Sequence, residues 1–235
     1  MKGRLTKAMQ DAITPSIALD LLQKGNQRFV DNLKINRNLL QQANETSDGQ
    51  HPFAVILSCI DSRTSVELIF DQGLGDVFSV RIAGTIINED ILGSLEFGCK
   101  VAGAKIIVVL GHTKCGAVKG ACDHMKMGNL TTLLRKIEPA VTAEKTVIEN
   151  RTSLNGEFVE KVAAINVRNT VQAVMECSPI LKEMIENGAC GIVGGNHDIA
   201  TGEVSFYDDT MLGFFKHQPN VSDNSENISK LRPKL

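Results

Sequence analysis

Two short apolar runs constrain the fold of this chain more than any other feature. Residues 53–57 and 105–110 are rich in β-branched side chains and contain almost no polar residue. Strands that are buried on both faces of a sheet have this pattern. We therefore predict a strand at each run and further strands at residues 77–82 and 190–194. A last strand, near residues 204–206, is predicted at the edge of the sheet.

Helices are predicted between these strands. Thr14, Asn88 and Ser178 are residue types that cap helix N-termini, and each precedes a segment with helical features. The helix after Thr14 should run to about residue 32, and the helix after Asn88 to about residue 101. Helices that alternate with buried strands predict an α/β fold, in which helices flank a central, mainly parallel β-sheet.

The domain organisation is predicted to be simple, because the chain shows no internal repeat and no second domain. We assign residues 1–35 to an N-terminal helical arm, residues 36–212 to the α/β domain and residues 213–235 to a polar C-terminal tail. Within the domain, residues 36–52 are polar and end in Gly49-Gln50-His51-Pro52, which is typical of a connecting loop.

Charge and hydropathy exclude several classes of protein. The chain has 25 basic and 27 acidic residues, so nothing indicates a nucleic acid or an anionic membrane as partner. No apolar run approaches the roughly 20 residues of a membrane helix. The basic N-terminus is followed by polar residues instead of a signal-peptide core. Six cysteines are too sparse for a disulfide scaffold, so we expect reduced thiols in a cytoplasmic protein.

Two runs of reactive side chains follow two of the predicted strands. Cys59 opens the run Cys59-Ile60-Asp61-Ser62-Arg63, and the second run is Gly111-His112-Thr113-Lys114-Cys115-Gly116, whose glycines should allow tight turns. Sites in parallel sheets form beyond the carboxyl ends of the strands. If the two strands are neighbours, Cys59, His112 and Cys115 therefore converge. Two thiolates and one imidazole suit zinc, and three protein ligands are typical of a catalytic zinc site.

Each part of this pattern also has a purely structural interpretation. A cysteine that ends a buried strand is often a small core residue, and a His-x-x-Cys pair occurs by chance. Asp61 and Arg63 could form an ordinary salt bridge in a loop. The conjunction of these residues favours the metal site. The remaining cysteines are predicted to be buried and to have no functional role: Cys99, Cys122, Cys177 and Cys190.

The motif Cys-x-Asp-Ser-Arg, followed later by Gly-His-x-x-Cys-Gly, resembles the signature of the β-class carbonic anhydrases. Segments similar to this family also lie between and after the two motifs, at residues 70–78, 81–84, 93–97 and 194–202. The resemblance spans roughly residues 15–209. It implies that residues 36–212 form a catalytic zinc-binding domain with the β-carbonic anhydrase fold.

The resemblance implies one Zn²⁺ per chain, held by Cys59, His112 and Cys115, with water as the fourth ligand. Zinc lowers the pKa of such a water to about 7, so that hydroxide attacks carbon dioxide and bicarbonate leaves. Asp61, held by a forked pair with Arg63, would accept the hydroxide hydrogen and orient the lone pair. Family members also show a closed form in which this aspartate displaces the water. We hypothesise that Asp61 becomes a metal ligand in the same way at lower pH.

The resemblance also implies a substrate pocket that is completed across a dimer interface. Gln50 matches a family glutamine that hydrogen-bonds a substrate oxygen. Phe78, Ala83 and Phe97 match residues that line the apolar pocket, and Gly116 offers its backbone there. We therefore expect a homodimer or a dimer-based tetramer, with carbon dioxide and bicarbonate as the small-molecule partners.

The sequence departs from the family at several positions. Ile82, Phe97 and Thr113 stand where many members have asparagine, tyrosine and serine, which alters the substrate pocket and leaves the metal ligands unchanged. The chain has no tryptophan, whereas the subgroup with a regulatory bicarbonate site uses one, so that inhibition is not expected. His197 replaces a more usual aromatic residue, and either a proton shuttle or a core histidine fits this position.

Two other functions fit the same residues. The same zinc site could hydrolyse carbonyl sulfide or carbon disulfide, which are linear molecules like carbon dioxide. The protein could also be a non-catalytic zinc-binding protein in which Asp61 is a permanent fourth ligand. That last alternative leaves Arg63 and Gln50 without an evident purpose. The predicted activity is therefore that of an enzyme, a zinc-dependent carbonic anhydrase.

Overall fold

The computed structural model describes residues 5–214, and these residues contain one sheet of five strands. Its strand order is β2-β1-β3-β4-β5, with the first four strands parallel and β5 antiparallel to β4. The mainly parallel sheet is therefore confirmed, and β1 and β3 are hydrogen-bonded neighbours. The strands are β1 (Ala54–Ser58), β2 (Val77–Arg81), β3 (Ile106–His112), β4 (Gly191–His197) and β5 (Val204–Leu212).

Helices cover both faces of the sheet, as predicted. Thr14, Asn88 and Ser178 each cap a helix, because their side chains accept hydrogen bonds from backbone amides of the first turn. None of the described helices is long and apolar enough to cross a membrane. The helices are α1 (Lys7–Ala12), α2 (Pro15–Val30), α3 (Leu39–Glu45), α4 (Val66–Ile69), α5 (Glu89–Glu96), α6 (Gly116–Cys122), α7 (Gly128–Arg135), α8 (Glu138–Ala143), α9 (Gly156–Cys177) and α10 (Pro179–Glu186).

The central strands separate two layers of hydrophobic core. On one face of the sheet, Ile56 of β1 and Val108 of β3 belong to a cluster that includes Leu22 of α2. On the other face, Val55 and its neighbours belong to a cluster that includes Val167 of α9. Since every residue of β1 and β3 is buried, the continuous apolar runs of the sequence follow directly from this arrangement.

The N-terminal segment before residue 36 packs onto the domain. Helix α2 contributes Leu22 to the core, and its Gly25 lies so close to α4 that a methyl group there would meet the backbone oxygen of Phe70. Arg28 of α2 and Arg37 both pair with the buried carboxylate of Asp71. These contacts join the predicted arm to the core. The predicted C-terminal tail lies almost entirely outside the described residues.

Three predictions are wrong, and they concern residues 36–52, Cys177 and Gly111. Residues 36–52 are not simply a loop, because Asn38 caps the short helix α3, which buries none of its residues. A helix without a buried face has no apolar periodicity for the sequence to show. Cys177 is exposed, because it is the last residue of α9 and its side chain faces away from the core. Cys99, Cys122 and Cys190 are buried, as predicted.

Strand β3 is longer than its apolar run indicates. It continues through Gly111 and His112, which pair with Asn196 and His197 of β4. Gly111 therefore lies inside a strand and not in the predicted turn. Its missing side chain leaves space for α9, since a methyl group at Gly111 would come within 2.7 Å of Val167. The absence of a side chain at Gly111 thus allows the helix to approach the sheet closely.

Candidate metal centre

Three side chains converge at the carboxyl ends of β1 and β3. The ligand atoms of Cys59, His112 and Cys115 all lie within 4.8 Å of one another, and all three residues are buried. The two sulfur atoms are 4.0 Å apart. Because β1 and β3 are adjacent and parallel, residues distant in sequence meet at one edge of the sheet. The convergence predicted from the two motifs is present in the structure.

The loop that follows β1 holds Cys59 in place. The side-chain hydroxyl of Thr64 lies 3.0 Å from the carbonyl oxygen of Cys59 and 2.9 Å from that of Asp61. Arg81, the last residue of β2, donates to the same two carbonyl oxygens at 3.0 and 2.5 Å. The sequence interpretation missed both residues. Arg81 could have been found as a polar residue at the carboxyl end of a strand, whereas Thr64 has no signal beyond its proximity to Cys59.

His112 is oriented for metal binding by its own backbone. Its Nδ1 lies 3.0 Å from the carbonyl oxygen of Thr113, which can only accept, so Nδ1 carries the proton. Nε2 is buried, and no hydrogen-bond partner reaches it among the described residues. A buried lone pair of this kind, aimed at two sulfur atoms, is the arrangement of a neutral histidine ligand with its second nitrogen hydrogen-bonded.

The two thiols cannot both ionise easily without a cation. A hydrogen bond from Cys115 lowers the pKa of Cys59 against the effect of burial. The interaction with Cys59, together with burial, raises the pKa of Cys115. A divalent cation between the sulfur atoms would allow both to be thiolates. The donor set of two thiolates and one imidazole therefore fits zinc.

Asp61 lies next to this group and is held by Arg63. The Arg63 side chain donates from Nε to Oδ1 at 2.9 Å and from a terminal nitrogen to Oδ2 at 2.7 Å, and its backbone amide also donates to Oδ1. These bonds hold the pKa of Asp61 well below its ordinary value, so the carboxylate is an anion at neutral pH. The Asp61 side chain is 17% exposed and is not a member of the ligand group.

A tight turn at residues 83–85, which we call the left-handed turn, borders the group on one side. Ala83 begins this turn, and Gly84 and Thr85 both have positive φ values, of 71° and 54°. Hydrogen bonds from the backbone amides of Gly84 and Asp61 also lower the pKa of Cys59. On the other side, Gly116 starts α6, and a methyl group there would meet no atom within 4 Å. Ala83 and Gly116 are thus beside the ligands.

The other predicted pocket residues are not close to the metal ligands of their own chain. Phe78 pairs with Val55, and at about 3.3 Å per residue it lies roughly 13 Å along the strands from Cys59. The ring of Phe97 lies next to that of Phe78 in a tilted arrangement, with ring centroids 6.2 Å apart. Gln50 is exposed, and it precedes β1 at the end opposite to Cys59. Their proposed contact with substrate therefore requires a second copy of the chain.

Known proteins resemble this chain in sequence and in structure. The family model for carbonic anhydrase matches residues 54–204. Carbonic anhydrase 2 of Mycobacterium tuberculosis is 34% identical over 206 residues, which cover 83% of this chain and 93% of that protein. The carbonic anhydrase of Mycolicibacterium smegmatis is 34% identical over 192 residues, with 81% and 92% covered. The structure of the β-carbonic anhydrase CcaA superposes with a TM-score of 0.64 at 26% identity, covering 81% of this chain and 86% of that one.

The mainly parallel sheet, the Cys-His-Cys group and these relatives all indicate the same family. The chain belongs to the carbonic anhydrase family, in its β class, and it is an enzyme of that family.

Proposed function

We propose that this enzyme catalyses the reversible hydration of carbon dioxide to bicarbonate and a proton, with one Zn²⁺ per chain. The observation that carries the proposal is the convergence of Cys59, His112 and Cys115 in a chain of this family. Zinc bound by these residues would lower the pKa of a water molecule to about 7 and so supply hydroxide at neutral pH.

Asp61 and Arg63 are the residues that we propose to act on the reacting water. Asp61 remains an anion because Arg63 holds it from two sides, so it can only accept a hydrogen bond. An acceptor fixed beside the metal group selects one orientation of the water and directs a lone pair toward carbon dioxide. The charge-assisted, forked geometry of the pair suits this positioning role.

We also propose that Asp61 can leave Arg63 and become a metal ligand, which would close the site. Arg63 is 54% exposed, so little burial opposes the separation of the pair. Protonation at lower pH removes the competing hydroxide and favours this closed form. Asp61 is paired with Arg63 in this structure, which supports the open form. The same pairing argues against Asp61 as a permanent fourth ligand.

The substrate pocket is proposed to be shared between two copies of the chain. Ala83 and Gly116 lie beside the metal ligands of their own chain, whereas Gln50, Phe78 and Phe97 do not. We propose that the latter three residues approach the site of a second copy. A homodimer or a dimer-based tetramer follows, and two β-carbonic anhydrases of Sordaria macrospora with the same fold are described as tetrameric.

The proposal is tested by zinc analysis together with stopped-flow hydration of carbon dioxide at pH 8.5. The purified protein should contain one zinc per chain and be active. Cys115→Ser should lose both zinc and activity. Asp61→Asn should keep zinc and lose activity by about 10- to 100-fold, as for residues that orient a metal-bound group. The exposed Cys177, outside the ligand group, offers a matched control, and Cys177→Ser should change neither.

Two results would contradict the proposal. Zinc bound at one equivalent without hydration activity would show that the site serves another purpose. Hydrolysis of carbonyl sulfide or carbon disulfide by the same preparation, without hydration of carbon dioxide, would favour the alternative substrates.

A further inference from the structure

The left-handed turn at residues 83–85 contacts all three segments that carry the metal ligands. The amide of Ile82, just before the turn, donates to the carbonyl oxygen of Ser58, which precedes Cys59. The hydroxyl of Thr85 donates to the carbonyl oxygen of Leu110, two residues before His112. The Cα of Gly84 lies against Ala117, two residues after Cys115, where an added methyl group would approach within 3.2 Å. The turn therefore sets the relative position of the three ligands.

This turn does not have a conformation that its own residues prefer. Two successive residues have left-handed backbone angles, and one of them, Thr85, is β-branched. Side chains of this type are strongly disfavoured in that region of backbone space. Such a conformation persists only where the surrounding structure imposes it.

Helix α9 supplies the groups that impose it. The side-chain amide of Asn166 donates to the carbonyl oxygen of Gly84 at 2.8 Å, and the hydroxyl of Thr170 donates to that of Thr85 at 3.1 Å. Both side chains are at least 95% buried, at 4% and 5% exposed. The helix comes within reach because Gly111 and Gly194 lack side chains beneath Val167. Two consecutive peptide groups of the turn are thus held from behind by one face of α9.

We propose that Asn166, assisted by Thr170, is a positioning residue for the metal centre, which it controls through the left-handed turn. This inference rests on the proposed zinc site. Asn166 is not itself a member of the ligand group. It acts by holding the carbonyl group of Gly84, and with it the turn that contacts the segments of all three candidate ligands. Loss of the Asn166 bond frees the turn to relax, which changes the relative position of the candidate ligands.

The test measures Co²⁺ binding by the purified, metal-depleted full chain, because the thiolate-to-cobalt charge-transfer bands report the two sulfur ligands directly. Asn166→Leu keeps a similar volume and removes the donor. It should weaken Co²⁺ and Zn²⁺ affinity about 10- to 100-fold in competition with a chelator, the range found for outer-shell partners of metal ligands. It should also shift the charge-transfer bands. Thr170→Val should change the same quantities in the same direction by a smaller factor.

Asn169 provides the control, because it lies on the same helix but is exposed. Asn169→Leu should leave the affinity and the bands unchanged. A folded Asn166→Leu with wild-type bands and affinity would overturn the inference, even if its melting temperature fell, since that would leave Asn166 a merely structural role. If Asn166→Leu does not fold, unchanged values for Thr170→Val would overturn it. Failure of the wild-type chain to bind Co²⁺ is a different result, which would refute the zinc site itself.

Discussion

His197 lies beside His112, on the neighbouring strand, and it is only 3% exposed. Neither of its ring nitrogens has a hydrogen-bond partner among the described residues. Burial, and then the proximity of His112, lowers its pKa from the ordinary 6.5 to about 4. Of the two interpretations that fitted this position, the structure therefore favours a neutral core histidine. A residue with both nitrogens unsatisfied should make the fold sensitive to acid.

We predict that His197 destabilises the fold as the pH falls from about 6.5 to about 4. In this range the unfolded chain binds a proton that the folded chain does not, so the free energy of unfolding decreases as the pH falls. The contribution should be on the order of 2 kcal/mol, from the size of the pKa change. Urea unfolding of the metal-free wild type and of His197→Phe, at pH 7 and pH 4.5, measures it. Equal losses of stability in both proteins would contradict this prediction.

At the scale of secondary structure, the contact of α9 with the sheet determines the geometry behind the metal centre. Gly194 of β4 lies under Val167 of α9, and a methyl group there would approach the valine within 2.7 Å. Val167 is buried and β-branched, so it has little freedom to move aside. The glycines of β3 and β4 are therefore needed for packing, and the position of Asn166 depends on them.

We predict that Gly194→Ala lowers the free energy of unfolding by about 1–3 kcal/mol, the usual effect of an added group in a packed core. Gly156 begins the same helix, and a methyl group there would meet no atom within 4 Å. Gly156→Ala should therefore change stability by less than about 0.5 kcal/mol. Chemical denaturation of the three proteins gives the comparison, and equal stability of Gly194→Ala and wild type would disprove close packing at this point.

At the scale of the whole molecule, the edge of the sheet formed by β2 is incomplete. β2 has one neighbour, β1, among the described strands, and Phe97 beside it is 55% exposed. Phe78 and Phe97 line a groove along this edge together with residues of α5. An open strand edge next to exposed aromatic rings is a surface that an oligomer would cover.

We predict that Phe97→Arg converts the proposed dimer into monomers, because an unpaired charge would be buried in the interface. The monomer should keep zinc and lose most of its hydration activity, since Gln50, Phe78 and Phe97 would no longer reach a second site. Leu154 is 94% exposed and is not among the residues that line this groove, so Leu154→Arg is the control. Sedimentation velocity and zinc analysis decide the question. A dimeric, fully active Phe97→Arg would refute this interface.

The strands, the class of fold and the three candidate metal ligands could be predicted from the sequence alone. The apolar runs of β1 and β3 are local signals of double burial, and Cys59, His112 and Cys115 stand in short motifs directly after them. The helix caps at Thr14, Asn88 and Ser178 are local as well, since each bond joins residues three apart. Interactions of this range leave a readable pattern in the chain.

Only the tertiary structure decided which residues support those ligands. Arg81, Thr85 and Asn166 act through hydrogen bonds to backbone groups 20 to 82 residues away. In the pattern of polar and apolar residues, any other polar residue would look the same at these positions. The separation of Phe78 and Phe97 from their own metal group also depends on strand register. Such contacts arise when distant segments are packed together, so their geometry exists only in the folded molecule.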